Sequence, residues 1–421
     1  MHFENTLSFA QSLDESDGLK HFRKQFYFPK HEEKDVIYFC GNSLGLQPKN
    51  VEAAINTELQ TWRDLAIEGY FKGENPWLFY HEFLRGSLAK IVGAKDSEVT
   101  VMNALTVNLH FMMLSFYKPS AQRYKIMMEA GAFPSDQYAV ETQVKHYGLK
   151  PDDAIIEIAP REGEKIIREE DILLAIEQHK DSLALVLFGG INYYSGQLFD
   201  IEAITKATHK AGAVSGWDLA HVTGNVPTKL HDWNVDFAVW CSYKYLNAGP
   251  GAAGGIFVHE RHAQNTGTER LAGWWGNDEK VRFKMEKGFF AKPDASGWNL
   301  STSQVFNMVA LKASLELFDA AGIETMRTKS IALTGYLEFI LKQLNSNSFE
   351  IITPNTIEKR GAQLCLYFQQ KGKEIHDELM RNGIVVDYRE PGVIRVAPAP
   401  LYCSFEDVFK CGEIIQQVLN G

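Results

Sequence analysis

Lys244 stands in a setting that suggests covalent chemistry. It follows an apolar run at residues 237–241, lies between Tyr243 and Tyr245, and precedes a run of small residues. Most lysines are solvated at the protein surface, and that is the plain alternative here. A lysine directly after a buried strand loses water from its ammonium group, however, and the neutral amine can form a Schiff base with a carbonyl compound. The sequence therefore predicts a Schiff-base lysine at this position.

The glycines at positions 249, 251 and 254 also match the dinucleotide-binding pattern G-x-G-x-x-G. That pattern requires a strand before it and a helix after it. Here residues 255–259 are apolar and predict another strand. We therefore reject a dinucleotide site and expect these glycines to let the backbone pass close to a ligand.

Asp218 and His221 follow another apolar run, residues 213–217. The plain alternatives are a helix cap for Asp218 and a structural role for His221. A carboxylate beside a protonated heterocyclic nitrogen stabilises the positive charge of the ring, because opposite charges in contact favour the ionised form. The sequence therefore predicts that Asp218 pairs with a cationic ring and that His221 lies near the same site.

Two predicted helix starts offer contacts for a phosphate and a ring. Thr106 begins an apolar-periodic segment, where its hydroxyl could simply cap the helix, but free amides at such an end also bind phosphate. In the segment from Phe133 to Asp136, Pro134 predicts a helix start and Phe133 offers an aromatic face to a planar cofactor. The chain has no Walker pattern G-x-x-x-x-G-K-[ST], so a nucleoside triphosphate is not indicated.

Arg395 lies within an otherwise apolar strand near the C-terminus. A surface ion pair is the plain alternative, but an arginine on a buried strand is suited to bidentate binding of a carboxylate. A metal site is not expected, because His259 and His262 are separated by three positions rather than arranged as H-E-x-x-H, and no cysteine cluster adds ligands.

The elements that carry these residues predict an α/β fold. Short apolar runs at residues 124–129, 154–158, 183–188, 213–217 and 237–241 alternate with segments of helical periodicity. This alternation is typical of a mainly parallel sheet with helices on both faces, in which ligands bind beyond the carboxyl ends of the strands. Two long helical segments follow residue 301, and a smaller α+β unit ends the chain.

We expect three regions along the chain. Residues 1–60 form an N-terminal segment that contributes to the small domain and the active site, residues 61–310 form the large domain, and residues 311–421 form the small C-terminal domain. The length of 421 residues is sufficient for a large core.

Composition narrows the range of partners and compartments. The formal net charge of -10 makes nucleic acid and anionic membrane surfaces unfavourable partners. The apolar run at residues 183–188 is far too short to span a bilayer, and the N-terminus lacks the pattern of a secretory signal. Five scattered cysteines, with no C-x-x-C pair, indicate reduced thiols. We therefore expect a cytosolic protein.

In the order of these motifs, the chain resembles the fold-type I enzymes that use pyridoxal 5'-phosphate (PLP). Within those enzymes it resembles the class V aminotransferase-like group, and within that group the kynureninase family. The resemblance covers about residues 38–405. It rests on segments that start at Tyr38 (YFCGNSLGLQP), Met102 (MNALTVNLH), Phe133 (FPSD), Asp218 (DLAH), Cys241 (CSYKYLNAG), Gly273 (GW) and Ile394 (IRVAP).

The resemblance implies a PLP site at the carboxyl edge of the sheet, with Lys244, Tyr243 and Asp218 as catalytic residues. It implies Leu105, Thr106 and Tyr243 at the phosphate, Phe133 on the ring with Pro134, Ser135 and Asp136 nearby, Asp218 at the ring nitrogen supported by His221, and Lys244 as the Schiff-base lysine.

The resemblance also implies a homodimer whose subunits share their active sites. Trp274 and Thr302 would reach the cofactor from the partner subunit, and Arg395 would bind the α-carboxylate of the substrate. Ser43 and Tyr70 are expected at the aromatic end of the substrate.

The implied reaction is hydrolysis of L-kynurenine, or its 3-hydroxy form, to an anthranilate and L-alanine, in tryptophan breakdown or NAD synthesis. Some family members carry asparagine at the position of Thr302, histidine at Tyr70 and serine at Gly189. The first two positions, with Ser43, lie where the aromatic end of the substrate is expected, so the preferred substrate stays open. Rival hypotheses are an aminotransferase, a cysteine desulfurase with Cys403 as its one candidate nucleophile, or a PLP-binding protein without turnover.

Overall fold

The N-terminal part of the chain consists of short elements that lead into two helices. The structure is a computed structural model that describes residues 2–344 and 346–420. Its first helices and strands are α1 (Leu7–Ser16), β1 (Lys30–His31), β2 (Lys34–Asp35), β3 (Ile37–Tyr38), α2 (Asn50–Leu65) and α3 (Arg85–Val92).

Strands and helices then alternate through the middle of the chain. They are β4 (Val99–Val101), α4 (Leu105–Phe116), β5 (Lys125–Glu129), α5 (Pro134–His146), α6 (Pro151–Ala154), β6 (Ile155–Ile158), α7 (Glu169–Gln178), β7 (Leu183–Gly189), α8 (Ile201–Lys210), β8 (Val214–Asp218), β9 (Phe237–Trp240), β10 (Gly255–Val258), α9 (Glu260–Ala263) and α10 (Glu279–Arg282).

Two long helices lead into the C-terminal part. Its elements are α11 (Val305–Ala321), α12 (Ile323–Gln343), β11 (Glu350–Ile351), β12 (Leu364–Tyr367), α13 (Gly372–Arg381), β13 (Ile384–Val385), β14 (Asp387–Arg389), β15 (Val393–Val396) and α14 (Phe405–Asn420).

A seven-stranded sheet forms the centre of the molecule, in the order β4-β10-β9-β8-β7-β5-β6. Strand β10 is antiparallel to both its neighbours, and the other neighbouring strands are parallel. Strands β7, β8 and β9 are almost entirely buried, as expected for a sheet covered on both faces. The predicted α/β architecture with a mainly parallel sheet is confirmed.

A second, antiparallel sheet has the order β11-β12-β15-β14. The N-terminal segment packs beside it, because β3 pairs in parallel with β13 and α1 packs against α14. The carboxyl group of Asp14 also accepts hydrogen bonds from the amides of Phe405 and Glu406. Residues from both ends of the chain thus form one packed region.

The five predicted strands of the large sheet occur within one or two residues of their expected ends. Near the C-terminus the structure forms two short strands, β13 and β14, that join different sheets. All five cysteines are free thiols. Among the described residues, no helix combines the length and the apolar character needed to cross a membrane.

Candidate active site

A cleft lies where the carboxyl ends of β4, β5, β7, β8 and β9 meet, at the edge of the large sheet where ligands bind in α/β folds. The empty space of this cleft, with the solvent at its mouth included, is about 530 Å³. Its lining consists of Leu105, Thr106, Glu129, Phe133, Ser135, Asp136, Gly189, Ile191, Tyr193, Asp218, Ala220, His221, Tyr243 and Lys244. Most of the predicted cofactor residues are therefore brought together in one place.

Lys244 enters the cleft from the turn that follows β9. Its Nζ lies 3.1 Å from Nε2 of His221 and 5.7 Å from the centre of the Phe133 ring. Burial lowers the pKa of His221 well below its usual value, and the positive charge of Lys244 lowers it further. His221 is therefore neutral, so its Nε2 can accept a hydrogen bond from the amine of Lys244.

Asp218 and Asp136 place two carboxyl groups at the floor of the cleft. Burial raises the pKa of Asp218, while a hydrogen bond from the amide of Ala220, 2.7 Å from Oδ1, and the charge of Lys244 oppose the rise. Burial and the charge of Asp218 raise the pKa of Asp136 well above its usual value. The two carboxyl groups together therefore favour one negative charge over two. A cation bound beside them stabilises that negative charge.

Glu129 is a third carboxyl group in the cleft that sequence reasoning did not find. Both of its oxygens lie 3.1 Å from the amide nitrogen of Gly189. Burial raises its pKa to about 8, and the charge of Asp218 adds to this effect. A signal was available, because an acidic residue ends the apolar run of β5.

The first turn of α4 and the start of α5 face each other across the cleft. Helix α4 has Ala104 at its N-cap, without a side-chain hydrogen bond, so the alternative that Thr106 caps this helix is wrong. The Thr106 hydroxyl instead lies 2.7 Å from the hydroxyl of Ser135. Pro134 is the first residue of α5, as predicted. Free amides at the start of α4 and two hydroxyls thus offer hydrogen-bond donors to an anion.

Phe133 presents an exposed ring to the cleft, with 43% of its surface accessible. Its edge contact with Tyr193, at 5.3 Å between ring centres, fixes its orientation. Tyr243 borders the same space. Burial raises the pKa of its phenol, and the nearby Cys241 raises it further. Its hydroxyl is therefore protonated at neutral pH.

The N-terminal segment reaches the cleft through Gly45. Its amide donates a hydrogen bond to the carbonyl of Tyr243 at 2.9 Å. A side chain at Gly45 would overlap the carbonyl oxygen of Lys244 and the side chain of Asn247. Glycine is therefore required here, since the backbone of this segment lies directly against the turn that carries Lys244.

Arg395 is almost fully buried beside Ser43 and Asp387. Its Nη2 lies 2.9 Å from the Ser43 hydroxyl and 2.8 Å from Oδ2 of Asp387, and its Nη1 donates to the carbonyl of Tyr193 at 2.9 Å. Tyr193 lines the cleft, so this network joins the small sheet to the predicted cofactor site. Ser43 thus contacts Arg395. The sequence predicted that Ser43 lies at the aromatic end of the substrate.

Tyr70, Trp274 and Thr302 are predicted site residues that do not line the cleft of this chain. Tyr70 borders a separate cavity, with its ring against Trp77 at 5.5 Å. Trp274 is 49% accessible and donates from its indole to the carbonyl of Arg282. Thr302 is exposed. A role for these residues in the same site stays a prediction.

The sequence predicts no metal site, yet the structure groups Glu98, His231 and His259 at the opposite edge of the large sheet. Oε1 of Glu98 lies 2.9 Å from Nδ1 of His231 and accepts the amide of Glu260 at 2.8 Å. Nδ1 of His259 accepts the amide of Arg261. These atoms are engaged in hydrogen bonds that connect loops, which is a structural role.

The cleft offers partners for each part of PLP. Lys244 supplies an amine for the aldehyde, Asp218 a carboxylate for the pyridine nitrogen, Phe133 a face for the ring, and Thr106 and Ser135 hydroxyls for the phosphate. Among the described residues, Oδ1 of Asp136 and Nδ1 of His221 are buried without a hydrogen-bond partner. Buried polar atoms without partners carry a free-energy cost, which a polar ligand removes.

Comparisons with known proteins agree with this chemistry. Residues 326–415 match the family described as the kynureninase C-terminal domain. The chain is 53% identical to the kynureninase of Flavobacterium johnsoniae, over 100% of both chains, and 47% identical to that of Mus musculus, over 98% of this chain and 93% of the relative. The crystal structure of the Escherichia coli cysteine desulfurase CsdA has the same fold, with a TM-score of 0.76 at 18% identity over 96% of this chain and 98% of that one.

Proposed function

The chain belongs to the kynureninase family, and from that premise we propose that the cleft around Lys244 carries out the PLP-dependent hydrolysis of L-kynurenine. Water adds to the γ-carbonyl carbon and the Cβ–Cγ bond breaks, which gives anthranilate and L-alanine, or 3-hydroxyanthranilate from the 3-hydroxy substrate. One observation carries the proposal: Lys244, Asp218 and Phe133 converge in one cleft that the buried Arg395 adjoins.

The residues of the cleft divide the chemistry among them. When bound, PLP withdraws electrons from the α-carbon of the amino acid attached to it. Asp218 holds a proton on the pyridine nitrogen by its negative charge. Lys244 removes the α-proton of the substrate, and the neutral His221 beside it accepts a hydrogen bond from the amine. In this proposal Tyr243 donates a proton to the β-carbon; its support is that Tyr243 lines the cleft and that its phenol is protonated at neutral pH.

Arg395 binds the α-carboxylate of the substrate in this proposal. Its guanidinium group is fixed by Asp387, Ser43 and the carbonyl of Tyr193, so little conformational freedom is lost when a carboxylate binds. The carboxylate end of the amino acid then lies next to Tyr193, and the rest of the substrate extends along the cleft.

We propose that the protein acts as a homodimer in which Trp274 and Thr302 complete the partner's site. The support is the exposure of both residues, together with an apolar surface of Trp62, Ile67 and Phe306 beside Ser303. A monomer rarely leaves several large apolar side chains exposed in one place. Tyr70 borders this same surface, so its predicted contact with substrate would also be made across the dimer.

A cytosolic location is part of the same proposal. The five free thiols support it, because such thiols persist in reducing compartments.

A cysteine desulfurase is disfavoured by the setting of Cys403. Such an enzyme needs an accessible thiolate, whereas Cys403 is buried and its pKa is raised by burial and by the charge of Asp407. The likeness to CsdA at 18% identity extends to the fold alone.

The test is to add kynurenine and 3-hydroxykynurenine separately to the purified holoenzyme. Formation of fluorescent anthranilate and of alanine in equal amounts supports the proposal, and the two specificity constants give the preferred substrate. Formation of neither aromatic product from either substrate rejects it. Formation of an α-keto acid instead would assign the protein as an aminotransferase.

A further inference from the structure

Asp387 lies between two arginines on the small sheet, and one of them has no role in the function proposed above. Arg395 binds it through Nε, 3.0 Å from Oδ1, and through Nη2, 2.8 Å from Oδ2. Arg389 approaches it with Nε 2.9 Å from Oδ1 and Nη2 3.0 Å from Oδ2. Both arginines thus contact the same carboxylate with two nitrogens each.

The hydrogen bonds of Arg395 limit how a substrate can reach it. A guanidinium group has five N–H donors. The N–H of Nε donates to Asp387, one N–H of Nη2 donates to the Ser43 hydroxyl, and one N–H of Nη1 donates to the carbonyl of Tyr193. Nη2 also lies 2.8 Å from Oδ2 of Asp387 as an ion-pair contact. The remaining N–H groups, one on Nη1 and one on Nη2, are the donors left for a carboxylate.

The charges around this point show why a second arginine matters. Although burial opposes it, the hydrogen bond and charge of Arg395 lower the pKa of Asp387, so this carboxyl group is ionised. Arg395 and Asp387 together carry no net charge. A substrate carboxylate would then add a negative charge to a neutral, mostly buried pair, which is unfavourable. With Arg389 included, the three side chains carry one positive charge, which the substrate neutralises.

We propose that Arg389 is a positioning residue for the substrate: it offsets the charge of Asp387 and so keeps Arg395 electrostatically available for the α-carboxylate. This inference rests on the proposed function. In this inference Arg389 acts through Asp387, which it contacts, and not through the substrate. Its side chain is 39% accessible. Its effect should therefore appear in substrate binding rather than in the chemical step.

The test compares Arg389→Gln and Arg389→Lys with the wild-type holoenzyme. We expect Arg389→Gln to raise the KM for kynurenine about fivefold with little change in kcat, as for the loss of one partly exposed charge interaction. Arg389→Lys keeps the charge and should stay within about twofold of wild type. The difference between the two variants should shrink as salt is added, because salt screens exposed charges.

Kynuramine, which is kynurenine without its α-carboxylate, provides the matched probe. Its inhibition constant should be the same in Arg389→Gln and wild type, because the proposed interaction needs the carboxylate. An unchanged KM in Arg389→Gln, or an equal loss of kynurenine and kynuramine binding, would overturn the inference.

A second measurement separates this inference from the proposed function. The dissociation constant of L-alanine, measured by calorimetry, requires no turnover. A wild-type enzyme that does not cleave kynurenine rejects the proposed function, whereas alanine that binds equally well to wild type and Arg389→Gln rejects the role of Arg389.

Discussion

Nζ of Lys244 lies 3.1 Å from Nε2 of His221, and both side chains are buried at the carboxyl edge of the large sheet. Because burial and the charge of Lys244 lower the pKa of His221, this imidazole accepts a hydrogen bond and does not repel the amine as a cation. The pair therefore holds the Lys244 amine at one point of the cleft, near the exposed face of Phe133.

Lys244→Ala should abolish the visible absorbance of the Schiff base and lower kcat by at least about a thousandfold, because the variant lacks both the attachment point and the base. Absorption spectra of the purified protein with PLP check the first effect. The control is Lys292→Ala, which removes an equally buried lysine that pairs with Glu82 and Glu279 outside the cleft. An absorbance band that survives in Lys244→Ala would show that another lysine holds the cofactor.

Glu129 predicts a dependence of stability on pH. Its pKa rises from 4.5 in the unfolded chain to about 8 in the folded protein. Between these values the folded protein binds a proton that the unfolded chain releases, so the free energy of unfolding falls as the pH rises, by up to roughly 1.4 kcal/mol per pH unit. Below about pH 4.5 this contribution is constant.

Glu129→Gln should remove this contribution, because glutamine resembles the protonated carboxyl group. The stability of the variant relative to wild type should therefore increase between pH 5 and pH 8 by at least about 1 kcal/mol. Denaturant titrations of the two apoenzymes at both pH values measure it. The other carboxyl groups are common to both proteins, so a difference that does not vary with pH would contradict the assignment.

Gly45→Ala should destabilise the protein by about 1–3 kcal/mol, because the new methyl group would overlap the carbonyl oxygen of Lys244. It should also raise the KM for kynurenine, since the same displacement moves Ser43 away from Arg395. Gly18→Ala is the control, since nothing lies within 4 Å of its added carbon. Equal stability and kinetics of the two variants would exclude the close approach at Gly45.

Subunits that lack different parts of a shared site should complement each other. Lys244→Ala and Trp274→Ala homodimers should both have little activity, because each site has one defect. When the variants are mixed, unfolded and refolded at equal amounts, half of the dimers are hybrids with one intact site, so about a quarter of wild-type activity should return. A mixture with no more activity than its components would mean that Trp274 acts within its own chain or not at all.

The grouping of Lys244, Asp218 and Phe133 could be predicted because each lies at or just beyond the carboxyl end of a strand in one mainly parallel sheet, and such ends converge. The surroundings of Glu129 could not, because β5 is buried on both faces and its side chains show no alternation that gives their direction. The hydrogen-bond partners of Arg395 also could not be predicted from the sequence. Ser43 and Tyr193 come from distant parts of the chain, and only the packing of the small sheet against the cleft brings them together.

The pairing of Ile37 with Ile384 joins the beginning of the chain to its end. During synthesis the N-terminal segment emerges first, but β3 has no partner strand until β13 has been made. Ser43, five residues after β3, therefore cannot contact Arg395 until the C-terminal strands have been made. A chain that stopped short of β13 could complete its large sheet and would still leave the N-terminal side of its active site unassembled.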